Sequence, residues 1–198
     1  IWQVRLRFDG VESQMVVWVN SKWIGMARGS RLAHEFDITQ ALVPGENTVT
    51  LRVHQFSAGS YLEDQDQWWL PGVFRSVSLR YLPDFSIEDL WINTDYEAGQ
   101  GFATLELRVR GAQSETLEAN LDIEGLGAST LTLARGEDGR YRSENIGLGT
   151  VQPWSPQSPK LYAARVQAVG EGGRKTEVRH LRLGFRRIEI VDGVLRAN

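Results

Sequence analysis

Short runs in which apolar and polar residues alternate recur along the whole chain, and helical periodicity is scarce. A period of two places successive side chains on opposite faces of a strand, so this pattern commits the chain to β-structure. Val4-Arg5-Leu6-Arg7-Phe8 alternates, and Asp9-Gly10 turns. Met15 to Val19 is a short buried run, and Asn20-Ser21-Lys22 turns it back into Trp23-Ile24-Gly25. Phe36-Asp37-Ile38 follows, then the Pro44-Gly45-Glu46-Asn47 turn, then a strand from Thr48 to Val53 with Val49, Leu51 and Val53 on one face. Val73 to Leu79 alternates again. Turn signals every ~8–12 residues are the texture of a sandwich or jelly roll.

A boundary falls at Leu82-Pro83-Asp84, where proline ends a strand and fresh alternation begins at Phe85. From Ser86 to Leu183 the predicted strands are Ile87 to Thr94, Ala103 to Val109, Leu117 to Ile123, Ser129 to Leu133, Leu161 to Val169 and Glu177 to Leu183. Gly125, Gly127, Gly136 and Gly139 supply turns between them. A span of ~100 residues suits an immunoglobulin-like sandwich. The expected fold class is all-β, with two domains, which the 198 residues accommodate.

Composition removes several functions. Lys and Arg number 22 against 25 Asp and Glu, and a net charge of −3 lacks the basic excess of a nucleic-acid binder. The absence of cysteine excludes thiol catalysis, disulfides and Cys-type zinc sites. It also suits a reducing compartment, and a cytoplasmic location is expected. No apolar run approaches the ~20 residues of a membrane span. The opening IWQVRLRF reads as a strand rather than a signal peptide, so the chain is expected to begin inside a domain.

The run SYLEDQDQWW, Ser60 to Trp69, carries the chemistry. It holds three carboxylates and two adjacent tryptophans, and LPGVFR, Leu70 to Arg75, follows at once. Carboxylates accept charge-assisted hydrogen bonds from hydroxyls, and tryptophan offers a flat apolar face with one polar handle. A sugar ring needs both. An acidic surface loop whose aromatics fill the core beneath has the same composition.

SYLEDQDxW followed by G-V-F-R resembles the sugar-binding domain of the large β-galactosidases of glycoside hydrolase family 2. G-V-F-R is shared across that clan, whereas the acidic stretch belongs to the β-galactosidase branch. FDGVESQMVVWVNSKWIG, Phe8 to Gly25, and PGENTVTLRV, Pro44 to Val53, are similar to strands of the family's jelly roll. QPWSPQSPKLY, Gln152 to Tyr162, resembles the W…P-x-L-Y signature of its immunoglobulin-like domain, with Leu161 and Tyr162 beginning a core strand. GFRRIEIVDGVLRAN, Gly184 to Asn198, looks like the connector whose hairpin opens the catalytic barrel. The implied domains are the C-terminal part of the jelly roll over 1–83, the immunoglobulin-like sandwich over 84–184, and a connector to a (β/α)8 barrel over 185–198. The likeness spans the whole chain and about one fifth of a typical member, which implies a fragment.

Retaining glycosidases need two carboxylates ~5–5.5 Å apart. In an extended loop Asp64 and Asp66 point one way and Glu63 and Gln65 the other, so Asp64 and Asp66 could match that spacing by accident. The resemblance instead takes both catalytic glutamates from the barrel, so no catalytic residue is expected here and the chain alone is expected to be inactive. It implies that one aspartate of the run accepts hydrogen bonds from galactose hydroxyls and helps ligate a monovalent cation. That role falls on Asp66, with Asp64 second. No cofactor is expected in the segment alone; sodium is implied in the full-length enzyme, with magnesium as a second candidate ion. Trp68 and Trp69 divide evenly between core packing and the wall of a sugar site, and both are expected to be mostly buried.

Other residues of the neighbourhood read more blandly. His54 reads as a packed or surface residue. Arg75 is placed between an ion pair holding the acidic loop and a solvated strand edge. Arg28 and Arg31, in ARGSR, resemble a family loop leading toward the barrel. Expected partners are a β-galactoside, the barrel of the same chain and further copies in a homo-oligomer, with no nucleic acid or membrane. The rivals are a related β-glucuronidase or β-mannosidase, a stand-alone carbohydrate-binding module whose aromatics would form an exposed platform, and a structural immunoglobulin-like protein.

Overall fold

A computed structural model describes residues 2–63 and 66–198 of the chain, which divides into two compact units, Ile1–Asp84 and Phe85–Asn198. The strands of the first unit are β1 Gln3–Phe8, β2 Val11–Glu12, β3 Gln14–Val19, β4 Lys22–Arg28, β5 His34–Asp37, β6 Val49–His54, β7 Gly72–Val73 and β8 Val77–Leu82. They form two three-stranded antiparallel sheets, ordered β5-β1-β8 and β4-β3-β6, with a short β2-β7 pair. The alternation does what its period requires. Val4, Leu6 and Phe8 of β1 and Met15, Val17 and Val19 of β3 are buried and share one core with Ile38 and Ala41. The hairpin turn at Asn20-Ser21 takes positive φ at both residues. Asn20 then fixes the opposite turn: its amide donates to Ala41 O and Asn47 Oδ1, and its carbonyl accepts from Thr48 N at 3.0 Å.

The second unit comprises β9 Ser86–Glu97, β10 Gln100–Arg110, β11 Thr116–Ile123, β12 Gly127–Arg135, β13 Tyr141–Arg142, β14 Ile146–Thr150, β15 Tyr162–Val169, β16 Arg179–Leu183, β17 Ile188–Val191 and β18 Val194–Ala197. β9, β10 and β14 pair on one side, and β12, β11, β15 and β16 on the other. β13 joins them, pairing with both β10 and β12. Leu105 and Leu107 of β10, Leu121 and Ile123 of β11 and Val166 of β15 lie in one buried cluster. Tyr141 is fully buried, and its hydroxyl donates to Ser114 O at 2.9 Å, as a buried phenol must. β17 and β18 form a hairpin turning on Asp192 and Gly193, both at positive φ.

Several sequence expectations need correction. Val73 to Leu79 is two strands, because the chain leaves the β2 pairing at Val73 and joins β1 only at Val77. Gly127 starts β12 instead of serving only as a turn, and β13 and β14 have no counterpart in the sequence reading. Leu161 is exposed; β15 begins at Tyr162 and contributes Ala164, Val166 and Ala168 to the core.

Candidate functional site

The segment after β6 is led in by a single 3-10 turn, Ala58–Tyr61, whose N-terminal end is closed by reciprocal hydrogen bonds between Ser57 and Ser60. Ser13 Oγ donates to Ser57 Oγ at 3.0 Å and ties that turn to the start of β3. Beyond it, Glu63 accepts from Ser30 twice, from the hydroxyl at 2.6 Å and from the backbone N–H at 3.2 Å. At the far end, Arg31 Nη2 donates to the carbonyl oxygen of Trp68 at 2.5 Å. The acidic run is therefore held at both ends by the ARGSR segment between β4 and β5. Gly29 opens that segment at a φ of +116°, a conformation that glycine adopts without strain.

The anchor beneath is Glu12. Its side chain is only 9% exposed, and a buried carboxylate needs partners. Glu12 Oε2 accepts from Arg31 Nη1 at 3.0 Å and from Leu70 N at 2.8 Å. Arg31 also lies over the Phe74 ring, 4.9 Å from its centroid, with Arg75 at 5.4 Å from the same ring. Glu12, Ser30, Arg31, Glu63, Gln67 and Trp68 line a cavity of about 220 Å³. That is below the roughly 300–1,000 Å³ of sites for drug-sized ligands, and suits a group the size of one sugar ring.

Against the sequence expectations, Asp66 is exposed, and its carboxylate makes no hydrogen bond or ion pair with another described residue. Asp64 lies outside the described residues. The tryptophans are not buried: Trp68 is 85% and Trp69 46% exposed. Trp69 leans on Phe56 at 5.5 Å between centroids. Arg75 makes no ion pair with the acidic run among the described residues; it donates to the carbonyl oxygens of Asp9 and Arg31. Arg31 contacts the loop instead, while Arg28 points to Gln14. His54 is exposed at the end of β6. Glu12 escaped the sequence reading, although an acid inside the buried run after FDGV signals a charged partner.

Among the described residues no three His, Asp or Glu side chains are grouped to hold a metal ion, and no helix is long and apolar enough to cross a membrane. The site offers hydrogen-bond acceptors and an exposed aromatic face beside an anchored loop.

Known proteins place this architecture. The β-galactosidase of Arthrobacter sp. (strain B7) is 44% identical over 186 residues, which are 94% of this chain and 17% of the relative. That of Photobacterium profundum is 36% identical over 205 residues, 98% of this chain and 20% of the relative. The chain thus spans about a fifth of the length of these relatives. Among solved structures, the Bifidobacterium dentium β-glucuronidase complexed with coumarin-3-O-glucuronide matches with a TM-score of 0.77 at 20% identity, covering all of this chain and 39% of that one. An uncultured Clostridium sp. β-glucuronidase matches at 0.75 and 23% identity, over all of this chain and 34% of that one. At that identity these two establish the shared fold. Residues 1–83 match "Glycosyl hydrolases family 2, sugar binding domain" and residues 85–186 match "Glycosyl hydrolases family 2", so the chain belongs to glycosyl hydrolase family 2.

Proposed function

We propose that this chain supplies the sugar-contacting domains of a retaining β-galactosidase that removes terminal β-D-galactose from lactose-type substrates. The observation that carries the reading is the 44% identity to a named β-galactosidase over nearly the whole chain. In this division of labour the two catalytic glutamates belong to a barrel outside the chain. Asp66 accepts hydrogen bonds from galactose hydroxyls, Asp64 lies beside it in sequence, and Trp68 offers its exposed face to the C–H side of the ring. A monovalent cation, when bound, would supply positive charge near those hydroxyls. Asp66 fits as one of its ligands, being an exposed carboxylate without a partner among the described residues. The whole enzyme would be cytoplasmic and homo-oligomeric.

The test is Asp66→Asn in the complete enzyme, which keeps the shape and replaces a charged acceptor with a neutral one. A hydrogen bond to a charged group contributes ~1.5–3 kcal/mol. That corresponds to roughly a ten- to hundredfold loss in kcat/KM. The loss should be equal for galactosides of different leaving groups and accompanied by weaker sodium dependence, and Asp64→Asn should cost much less. Unchanged kcat/KM in Asp66→Asn would reduce the loop to a surface turn, and a preference for glucuronides or mannosides would reassign the substrate.

A second reading, a stand-alone carbohydrate-binding module, draws on the exposure of Trp68. Calorimetric titration of the 198-residue chain with galactose and lactose separates the two. Binding lost on Trp68→Ala would favour the module; no heat favours a contribution completed by the barrel.

A further inference from the structure

Ser30 holds the acidic run at Glu63, and at its other end, among the described residues, Arg31 alone joins it to a buried acid. Arg31 extends one arm to Glu12 at 3.0 Å and the other to the Trp68 carbonyl at 2.5 Å, two residues beyond Asp66. Its own carbonyl accepts from Arg75 at 3.2 Å, and its guanidinium lies over the Phe74 ring. The opposing Glu12 oxygen also takes Leu70 N, so the chain on the far side of the tryptophans is held by the same acid. Gly10 lets G-V-F-R close against this arrangement: a Cβ there would stand 2.8 Å from the Phe74 ring and 2.9 Å from Arg75 Cδ. A planar guanidinium bridges two acceptors and stacks on an aromatic ring at once, which a lysine cannot do.

We infer that Arg31 is the positioning residue of the sugar-contacting loop, a two-armed clamp that sets the place of Asp66 by joining Glu12 to the Trp68 carbonyl. This rests on the reading of Asp66 given above for its effect on activity, though not for its effect on the loop. With one arm on Glu12 and the other on the Trp68 carbonyl, Arg31 acts through the loop. Arg31→Lys keeps one charged contact and loses the bridge. Arg31→Gln loses the charge, and Glu12→Gln removes the anchor from the other side.

Two measurements test this separately. In the 198-residue chain, chymotrypsin has exposed sites at Tyr61, Trp68 and Trp69. Local opening governs cleavage when reclosing is fast, so loss of a charge-assisted contact should speed cleavage between 61 and 69 roughly tenfold or more, well beyond any rise in cleavage elsewhere that a lower Tm brings. Arg31→Lys, Arg31→Gln and Glu12→Gln should all show it; unchanged cleavage in the Arg31 variants overturns the clamp. In the complete enzyme, Arg31→Gln should lower kcat/KM on a nitrophenyl β-galactoside roughly tenfold, and adding it to Asp66→Asn should cause no further loss, since residues acting through one another are non-additive. A full, multiplicative loss in the double variant would mean that Arg31 acts independently of Asp66, and the positioning role fails. Should Asp66→Asn alone leave activity unchanged while the Arg31 variants open the loop, the reading of Asp66 as a sugar contact falls and the clamp stands.

Discussion

Single side chains decide what this surface offers. Glu12 is the clearest case: an acid in a buried two-residue strand persists because Arg31 and Leu70 N satisfy one of its oxygens. Gly10 is the matching case in the backbone, since any side chain there meets Phe74 at 2.8 Å. Overpacking of this kind costs typically ~1–3 kcal/mol. Gly10→Ala should therefore lower the Tm of the first unit by several degrees in a calorimetric scan. Gly147→Ala should leave the second unit nearly unmoved, since nothing lies within 4 Å of a Cβ there. An equal fall for both would locate the cost in glycine replacement as such and not in the Phe74 contact. The sequence showed part of this. Val4, Leu6 and Phe8 are buried as their alternation requires. Trp68 and Trp69 are exposed although tryptophan usually signals core, because a loop's burial depends on what passes beneath it, which no local pattern records. Arg31 was visible only as part of a loop, since its partners lie 19 and 37 residues away in sequence.

At the level of the strand, the outer face of β5-β1-β8 carries a charge cluster absent from the sequence reading. Register pairs Arg5 with Asp37 and Arg7 with Glu35 across β1 and β5, and Arg5 with Arg80 across β1 and β8. Glu35 thereby receives Arg80 at 2.6 Å, Arg7 at 3.0 Å and Arg5 at 3.4 Å. The pattern of alternation located these residues on the polar face, but only the register brings three arginines to one acid. Partial burial pushes the Glu35 carboxyl up; the hydrogen bonds from Arg80 and Arg7 outweigh it and hold the group below its ordinary value of 4.5. A depressed folded value means a stabilising contribution fully present above pH 4.5 and lost as the pH falls through the folded value. Thermal unfolding followed from about pH 7 to about pH 3 should show the wild type losing stability steeply below about pH 4.5. Glu35→Gln should start lower, because Arg80, Arg7 and Arg5 lose the carboxylate they share, and fall less across the same window. Parallel curves would mean the cluster adds nothing pH-dependent.

On the scale of the whole molecule, the first sandwich is closed on one flank and open on the other. Where β4 and β5 meet, Phe36 packs against Gly25 with only 3.0 Å left for a Cβ. On the opposite flank, among the described residues, β8 has no further neighbour in its sheet, and neither does β6. Val77, Leu79 and Tyr81 stand directly across from the buried Phe8, Leu6 and Val4, so they point to the core side. Yet they remain 48%, 52% and 64% exposed. An edge strand with an apolar face and outward N–H and C=O groups is a template for pairing with another chain. The 198-residue chain should therefore self-associate through β8. Static light scattering across a concentration series is expected to show a dimer or larger species, and Leu79→Lys with Tyr81→Lys should return it to a monomer with an unchanged strand content by circular dichroism. The associated chain should still fail to hydrolyse a chromogenic β-galactoside above background, because pairing edge strands brings in no barrel glutamates. A monomeric wild type at millimolar concentration, with slowly exchanging amides along β8, would show that the flank is closed by the chain itself.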